Sequence, residues 1–289
     1  MQQKWQQFLL LITSIIVMSS SGVLGTYISL PPPVTIWLRC LLGALLLYII
    51  VIIRKIDIQI SAGNDFRVTI ASAALLGLHW VSYFYALSIT SIAVSMLSMF
   101  TYPVITAILE PLIQKREINL LDMLLACIAL LGVFFLIPEF NLKDKNTYGV
   151  GIGVISAFFY ALRNILASRY QQKYSGITLM YKQLYWIAIL FAPLLFLQDI
   201  PKILVTLAKQ WQAVLILSVF TTALAHTLFL QSLQNFRITT ASIISTLTPV
   251  FGILLGYIFL DQIPQSSAYI GGTIILTIAI VESIRVLKR

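Results

Sequence analysis

Residues 100–114 read FTYPVITAILEPLIQ, and residues 246–260 read TLTPVFGILLGYIFL. Set 146 positions apart, the two stretches align Pro103 with Pro249, Val104 with Val250 and Leu109 with Leu255. Followed outward, the same shift lays Ile92 on Ile238 and Leu87 on Leu233, and it carries the apolar run 120–138 onto 266–284. Each copy has the same grammar: an apolar helix, a very short polar turn, then a Ser/Thr-rich helix with a Pro-Val pair in its middle. The repeat divides the chain into two halves, 1–143 and 144–289.

The sequence around the repeat decides what kind of halves these are. Of 289 residues, 59% are hydrophobic and 10% charged, against roughly 25% charged in an average soluble domain. The mean hydropathy is +0.94. Too few polar residues are present to clothe a soluble core. The apolar residues fall into ten runs, 8–28, 34–53, 67–87, 91–113, 120–138, 147–168, 177–198, 211–231, 238–260 and 266–284. Each is near the ~20 residues that a helix needs to cross the hydrocarbon core. The breaks carry the expected punctuation: Pro31-Pro32-Pro33, the polar loops 57–65 and 139–146, and Lys115-Arg116-Glu117. Gln198-Asp199 and Lys209-Gln210 flank a short amphipathic connection. The runs are too long for barrel strands and do not alternate strictly, so helices are expected. The first run, with Lys4 and the small residues 19–22, has a signal-peptide look but reads as a retained helix, because the charge pattern requires it. The expected fold is an all-α membrane protein with ten transmembrane helices.

The net charge of +9 does not point to nucleic acid, because the basic residues stand singly between apolar runs. They report orientation instead. With the N-terminus inside, twelve of the 19 (Lys4, Arg54, Lys55, Arg67, Lys115, Arg116, Arg169, Lys173, Arg237, Arg285, Lys288 and Arg289) lie on the cytoplasmic side, and four (Lys143, Lys145, Lys202 and Lys209) lie opposite. That bias predicts both termini in the cytoplasm, and the expected location is a bacterial inner, or plasma, membrane. Arg39, Arg163 and Lys182 fall within spans. Five spans per half is an odd number, so the second half enters the membrane from the opposite face. Two inverted five-helix repeats are a transporter architecture, with the binding site near the midplane between the repeats. Cys40 and Cys127 fall inside apolar runs and have no disulfide or metal spacing.

The chain resembles the EamA-type family of the drug/metabolite transporter superfamily. The resemblance is carried by Tyr85-Ala86-Leu87-Ser88 up to Ala93, by Tyr102-Pro103-Val104-Ile105-Thr106-Ala107, and by the second copy, Ser232-Leu233, Thr248-Pro249-Val250-Phe251 and Leu260-Asp261-Gln262. Trp37-Leu38-Arg39 after the proline-rich turn also fits. The resemblance covers both halves. It implies ten helices, a central cavity built from both repeats, and export or exchange of amino acids or related metabolites. One departure is that the family's helix-ending Glu near a Gly is replaced by Gln114-Lys115-Arg116-Glu117 in one copy and Leu260-Asp261-Gln262 in the other. These bear on the caps at the membrane faces rather than on the substrate.

Polar side chains inside a membrane are functional candidates by default. Glu110 is the one carboxylate read as well inside a span, roughly 12 Å to the cytoplasmic side of its centre, and Arg163 falls in the same leaflet half. The two are expected to pair. Either they form a coupling or gating site at which a proton or cationic substrate competes for Glu110, or they form a fixed structural pair. His79 sits mid-span with Tyr83 one turn on and Trp80 and Phe84 adjacent. This group suits a cavity for a zwitterionic or aromatic metabolite, or a histidine bonded to a neighbouring helix. Ser98, Tyr102, Ser245 and Thr248 lie near the prolines and are expected in the cavity lining. Ser95 and Ser242 are read as packing residues. Tyr160, Arg163 and Asn164 share one polar face. Pro103 and Pro249 each remove a helix hydrogen bond and are hinge candidates. Arg39, roughly 7 Å outside its span centre, is expected to snorkel to the outer headgroups or anchor loop carbonyls, and His226 to be structural.

The sequence has no zinc-ligand spacing, no phosphate-binding loop, no soluble nucleotide-binding domain and no intramembrane aspartate pair. ATP-driven pumping by this chain alone is therefore excluded. No catalytic residue, metal or cofactor is expected. The expected partners are a small-molecule substrate and membrane lipid, with a proton as well if transport is antiport rather than uniport, in a monomer or homodimer. A membrane-embedded binding or scaffold protein without transport is the alternative.

Overall fold

The structure, a computed structural model, describes residues 2–90, 92–135, 146–260 and 266–288. Among these the only regular secondary structure is helical, with no strand. The helices are α1 (Gln2–Tyr27), α2 (Pro32–Arg54), α3 (Asn64–Ile89), α4 (Ile92–Met99), α5 (Tyr102–Gln114), α6 (Leu120–Phe135), α7 (Asn146–Ser168), α8 (Gly176–Phe191), α9 (Ile200–Ile216), α10 (Ala225–Ser232), α11 (Ile238–Ile244), α12 (Leu247–Leu260) and α13 (Ser266–Lys288). A 3₁₀ turn, Ala192–Leu197, follows α8, and a π-helical stretch, Leu217–Leu224, joins α9 to α10. By length and apolar composition, seven described helical segments can cross a membrane, and the 16-residue α6 is a shorter apolar helix. The expected loop 139–146, the end of the run 120–138 and Asp261-Gln262 lie wholly or partly outside the described residues.

Local chemistry explains the boundaries. Pro32 and Pro33 open α2, where the missing N–H groups have no partner to lose. Lys55 and Lys115 close α2 and α5 in the left-handed conformation, at φ 51° and 53°. Ser175 and Asp199 cap α8 and α9 by accepting the N–H of Thr178 and Lys202. One boundary differs from expectation. The amphipathic connection and the eighth run form one helical segment, Ile200–Ser232, of 33 residues. At 1.5 Å per residue this is about 50 Å long, well beyond a ~30 Å core, so its polar first part extends past the apolar slab.

The packing is reciprocal between the halves. α3 packs on α7, and α10 on α1; α5 packs on α7, and α12 on α1; α2 packs on α8, and α6 on α13. Each of the first two pairings is matched by its partner under the 146-residue shift, and the last two join helices to their own repeats. That is the contact pattern of a two-fold arrangement. The connections also sort by end. The segment 57–65 bonds to 170–178 through Tyr174, Lys173 and Thr178, Arg169 donates to the Ile113 carbonyl, and Gln172 reaches Gln234. At the other end Gln210 bonds Ser29 and Tyr27.

Candidate functional site

Two helix breaks organise the centre of the bundle. α4 stops at Met99 and α5 starts at Tyr102; α11 stops at Ile244 and α12 starts at Leu247. The breaks fall at corresponding places in the two halves. Each precedes its proline by a few residues, because Pro103 and Pro249 have no N–H to give to the carbonyls of Met99 and Ser245. The chain compensates with i→i−3 bonds, Thr101 N–H to Ser98 O at 3.4 Å and Thr248 N–H to Ser245 O at 2.9 Å. Interrupted helices at matched positions of two repeats mark the binding site of many carriers, because unwound backbone is tolerated only where it lines a cavity.

A cavity lies at these breaks. Its volume is about 70 Å³, enough for a few ordered waters. Phe100 and Tyr102 reach it from the first break, and Ser245 and Thr248 from the second. Of the expected lining, His79, Trp80, Tyr83, Tyr102, Tyr160, Ser245 and Thr248 are there; Ser98 and Asn164 are buried but not part of it. Met18, Ser21, Gly22, Met96, Met99, Thr221 and His226 complete it. The α1 residues and the methionines were not legible in the sequence, since they look like any lipid-facing apolar stretch. His226, an intramembrane histidine expected to be structural, also lines the cavity.

The walls are held by specific bonds. His79 Nδ1 lies 2.8 Å from Ser156 Oγ and 3.1 Å from Ser156 O, and Ser156 Oγ donates to His79 O at 2.8 Å. Because the one serine proton goes to that carbonyl, Nδ1 carries a hydrogen and donates. The clasp joins α3 to α7. The His79 ring stacks on Tyr160 at 4.4 Å and on Tyr83 at 6.2 Å, and Tyr160 meets Tyr102 edge-on at 4.9 Å.

Two expectations about arginines are corrected. Arg39 does not snorkel: it is 1% exposed, its guanidinium lies 4.3 Å over the Trp80 ring, and it donates to Thr222 Oγ1 at 2.7 Å and Thr221 Oγ1 at 3.4 Å. Both threonines sit on the π-helical stretch and give their own protons to the Leu217 carbonyl, which leaves their oxygens free to accept. Packing against an interior aromatic and two hydroxyls replaces the route to the headgroups. Arg163 does not pair with Glu110. Its Nε and Nη2 donate to Gln183 Oε1 at 2.9 and 2.5 Å and its Nη1 to Asn164 Oδ1 at 2.8 Å, and Gln183 in turn donates to Ser72 at 3.1 Å. The partner lies on the facing helix α8, which residue counting along separate spans does not reveal.

Glu110 belongs to a second cluster at the end of the bundle where Lys55 and Lys115 cap their helices. It accepts the Thr239 N–H at 3.1 Å and the Thr239 hydroxyl, and lies 3.6 Å from Arg237 Nε. Arg237 Nη1 donates to Asp122 at 3.3 Å, Asp122 accepts from Arg285, and Arg285 Nε lies 2.8 Å from Glu282. Glu110, Asp122 and Glu282 are all buried. Asp122 and Glu282 escaped the sequence reading because each sits at the edge of its apolar run. An opening of about 500 Å³ lined by Glu110, Arg169, Gln172 and Arg237 lies beside the cluster.

The fold defines a multi-pass helical membrane protein with an internal cavity. The EamA-like transporter family model matches residues 5–137 and again 147–283, and the chain belongs to that family, within the drug/metabolite transporter superfamily. It is similar to an uncharacterized transporter of Synechocystis sp., 26% identical over 64% of this chain. The match spans 56% of that protein's length. An uncharacterized transporter of Archaeoglobus fulgidus is 22% identical over 74% of this chain and 75% of its own. One solved crystal structure superposes with a TM-score of 0.80, covering 98% of both chains at 15% identity, a likeness of fold.

Proposed function

We propose that this chain is a secondary carrier that exports or exchanges a small metabolite, an amino acid or a related compound, through ten crossings arranged as two inverted five-helix halves, 1–143 and 144–289. The observation that carries the reading is the cavity at the paired helix breaks, lined by both halves. The reciprocal packing supports a two-fold relation, and an odd number of crossings per half makes that relation an inversion. The excess of basic residues on even connections supports cytoplasmic termini in a bacterial inner membrane. In this reading His79, Trp80, Tyr83, Tyr102, Tyr160, Ser245 and Thr248 contact substrate, with Ser98 and Asn164 behind them. Pro103 and Pro249 are the hinges. Arg163 braces the cavity wall, and Glu110 gates one end, because it ties α5 of the first half to α11 of the second. Counterflow in proteoliposomes tests the reading. Trans-stimulated uptake of one or more amino acids or related metabolites is expected, and no flux for any of them removes it.

A further inference from the structure

The opening of about 500 Å³ beside Glu110 shares no lining residue with the central cavity. Its walls come from both halves: Glu110, Gln114 and Arg116 at the end of α5, Arg169 and Gln172 just past α7, and the connection 233–237 between α10 and α11. Side chains reach across it. Arg169 extends from the end of α7 to the Ile113 carbonyl of α5, Gln114 donates back to Ser168 Oγ at 3.4 Å, and Gln172 donates to the Gln234 carbonyl at 2.9 Å. Glu110 is the one carboxylate in the walls, and Thr239 and Arg237 take it up. Asp122 holds Arg237 from behind. Arg116 and Arg169 are exposed, and among the described residues neither forms an ion pair. Glu117, next in sequence to Arg116, is not part of the walls. Two guanidiniums without a counter-ion therefore stand in one cleft beside neutral amides. Membrane topology asks only for positive charge in the connections at this end. Arg54 and Arg67 meet that need from exposed positions outside the opening. It does not ask for guanidiniums gathered on the walls of a concave site.

We propose that this opening binds the phosphate group of an organic anion, held by Arg116 and Arg169. The planar fork of a guanidinium matches phosphate oxygens, and such charge-assisted bonds are about twice as strong as neutral ones. Basic pockets between helices at the cytoplasmic face of a membrane take acidic lipid headgroups, and in the orientation proposed above this end meets that face. A phospholipid headgroup and a soluble phosphate ester present the same oxygens, and the experiment separates the two sources. A phosphate held here ties the end of α5, in the first half, to the connections of the second. It therefore reinforces the closure that Glu110 and Thr239 make. The binding chemistry does not depend on the carrier reading.

The test measures the melting temperature of the purified full-length protein in a non-ionic detergent at constant ionic strength. The probes are phosphatidylglycerol against phosphatidylcholine, whose ammonium opposes the guanidiniums, and glycerol phosphate against glycerol. Phosphatidylglycerol is expected to raise the melting temperature, and phosphatidylcholine and glycerol are not. Arg116→Gln and Arg169→Gln are each expected to weaken the apparent affinity about tenfold. The double variant Arg54→Gln/Arg67→Gln, which removes as much charge from the same end outside the opening, is expected to bind as the wild type does. A shift from phosphatidylglycerol alone upholds the site with lipid as its source. A shift from glycerol phosphate that the same two variants weaken upholds it with a soluble source as well. The proposal is overturned by an equal shift from phosphatidylcholine, by no shift from either phosphate anion, or by an undiminished shift in Arg116→Gln. An equal loss in Arg54→Gln/Arg67→Gln also overturns it, since the attraction would then belong to the surface at large. Arg116→Gln breaks no ion pair, and the comparison of probes on the wild type stands even where Arg169→Gln does not fold.

Discussion

Glu110 in α5 accepts the backbone N–H of Thr239 in α11 at 3.1 Å, so a carboxylate of the first half caps a helix of the second. Thr239 is the second residue of α11, where N–H groups have no partner within the helix and the helix dipole favours an anion. The Thr239 hydroxyl and Arg237 complete the cap.

Glu110→Gln keeps the shape and removes the charge. A loss of about 1–3 kcal/mol in stability is expected for this buried, charge-assisted contact, measured by unfolding in detergent. If Glu110 also couples transport to protons, pH-driven uptake disappears in this variant. Unchanged pH dependence in a folded Glu110→Gln protein removes Glu110 from coupling and leaves it a structural cap.

Asp122 bridges two arginines, Arg237 and Arg285. Asp122→Asn leaves both cations short of an acceptor and is expected to cost about 3–5 kcal/mol. Combined with Glu282→Gln, the effects should depart from additivity by about 0.5–3 kcal/mol, because both carboxylates share Arg285. Additive losses would show that the cluster does not act as one network.

Gly176 opens α8 against α10. A Cβ there would stand 3.0 Å from both Gln231 N and Thr227 O, which are backbone atoms that cannot swing aside. Gly176→Ala is expected to destabilise by about 1–3 kcal/mol. A neutral result would mean that the two helices separate at little cost.

Pro103→Ala and Pro249→Ala each restore an N–H that can reach Met99 O or Ser245 O and extend a helix through its break. If the breaks are hinges, exchange slows at least severalfold in counterflow while the protein stays folded and binds ligand as before. Exchange at the wild-type rate in both variants removes the prolines from the moving parts.

Lys173, in the connection between α7 and α8, donates to Asp65 at 2.5 Å, and the Asp65 carboxylate holds its ammonium above the ordinary lysine range. A cation raised in this way contributes stability below its unfolded pKa, roughly 10.4, and loses it as pH rises through the higher folded value. The pair is exposed, so Lys173→Met should be nearly silent at neutral pH in salt and should flatten the alkaline limb of the melting-temperature profile. An identical alkaline limb in the variant means that the contact is not maintained in solution.

Composition, run length and the Pro103/Pro249 repeat were enough to read a helical membrane protein in two related halves. These properties are local: twenty apolar residues without charges have few ways to satisfy their backbone in lipid other than as a helix, wherever the chain goes next. The prolines also marked the centre, since a missing N–H interrupts a helix in any surround. Seven of the nine expected lining residues reach the cavity: six cluster around those interruptions or on the His79 face, and Tyr160 comes from α7. Partner choice was decided only in the tertiary structure. Arg39 turns inward to Trp80, Arg163 to Gln183, and Glu110 to Thr239 and Arg237, each across a helix interface. Which helices become neighbours depends on the packing of the whole bundle, and a low-dielectric interior makes each charged group's nearest polar partner decide its role.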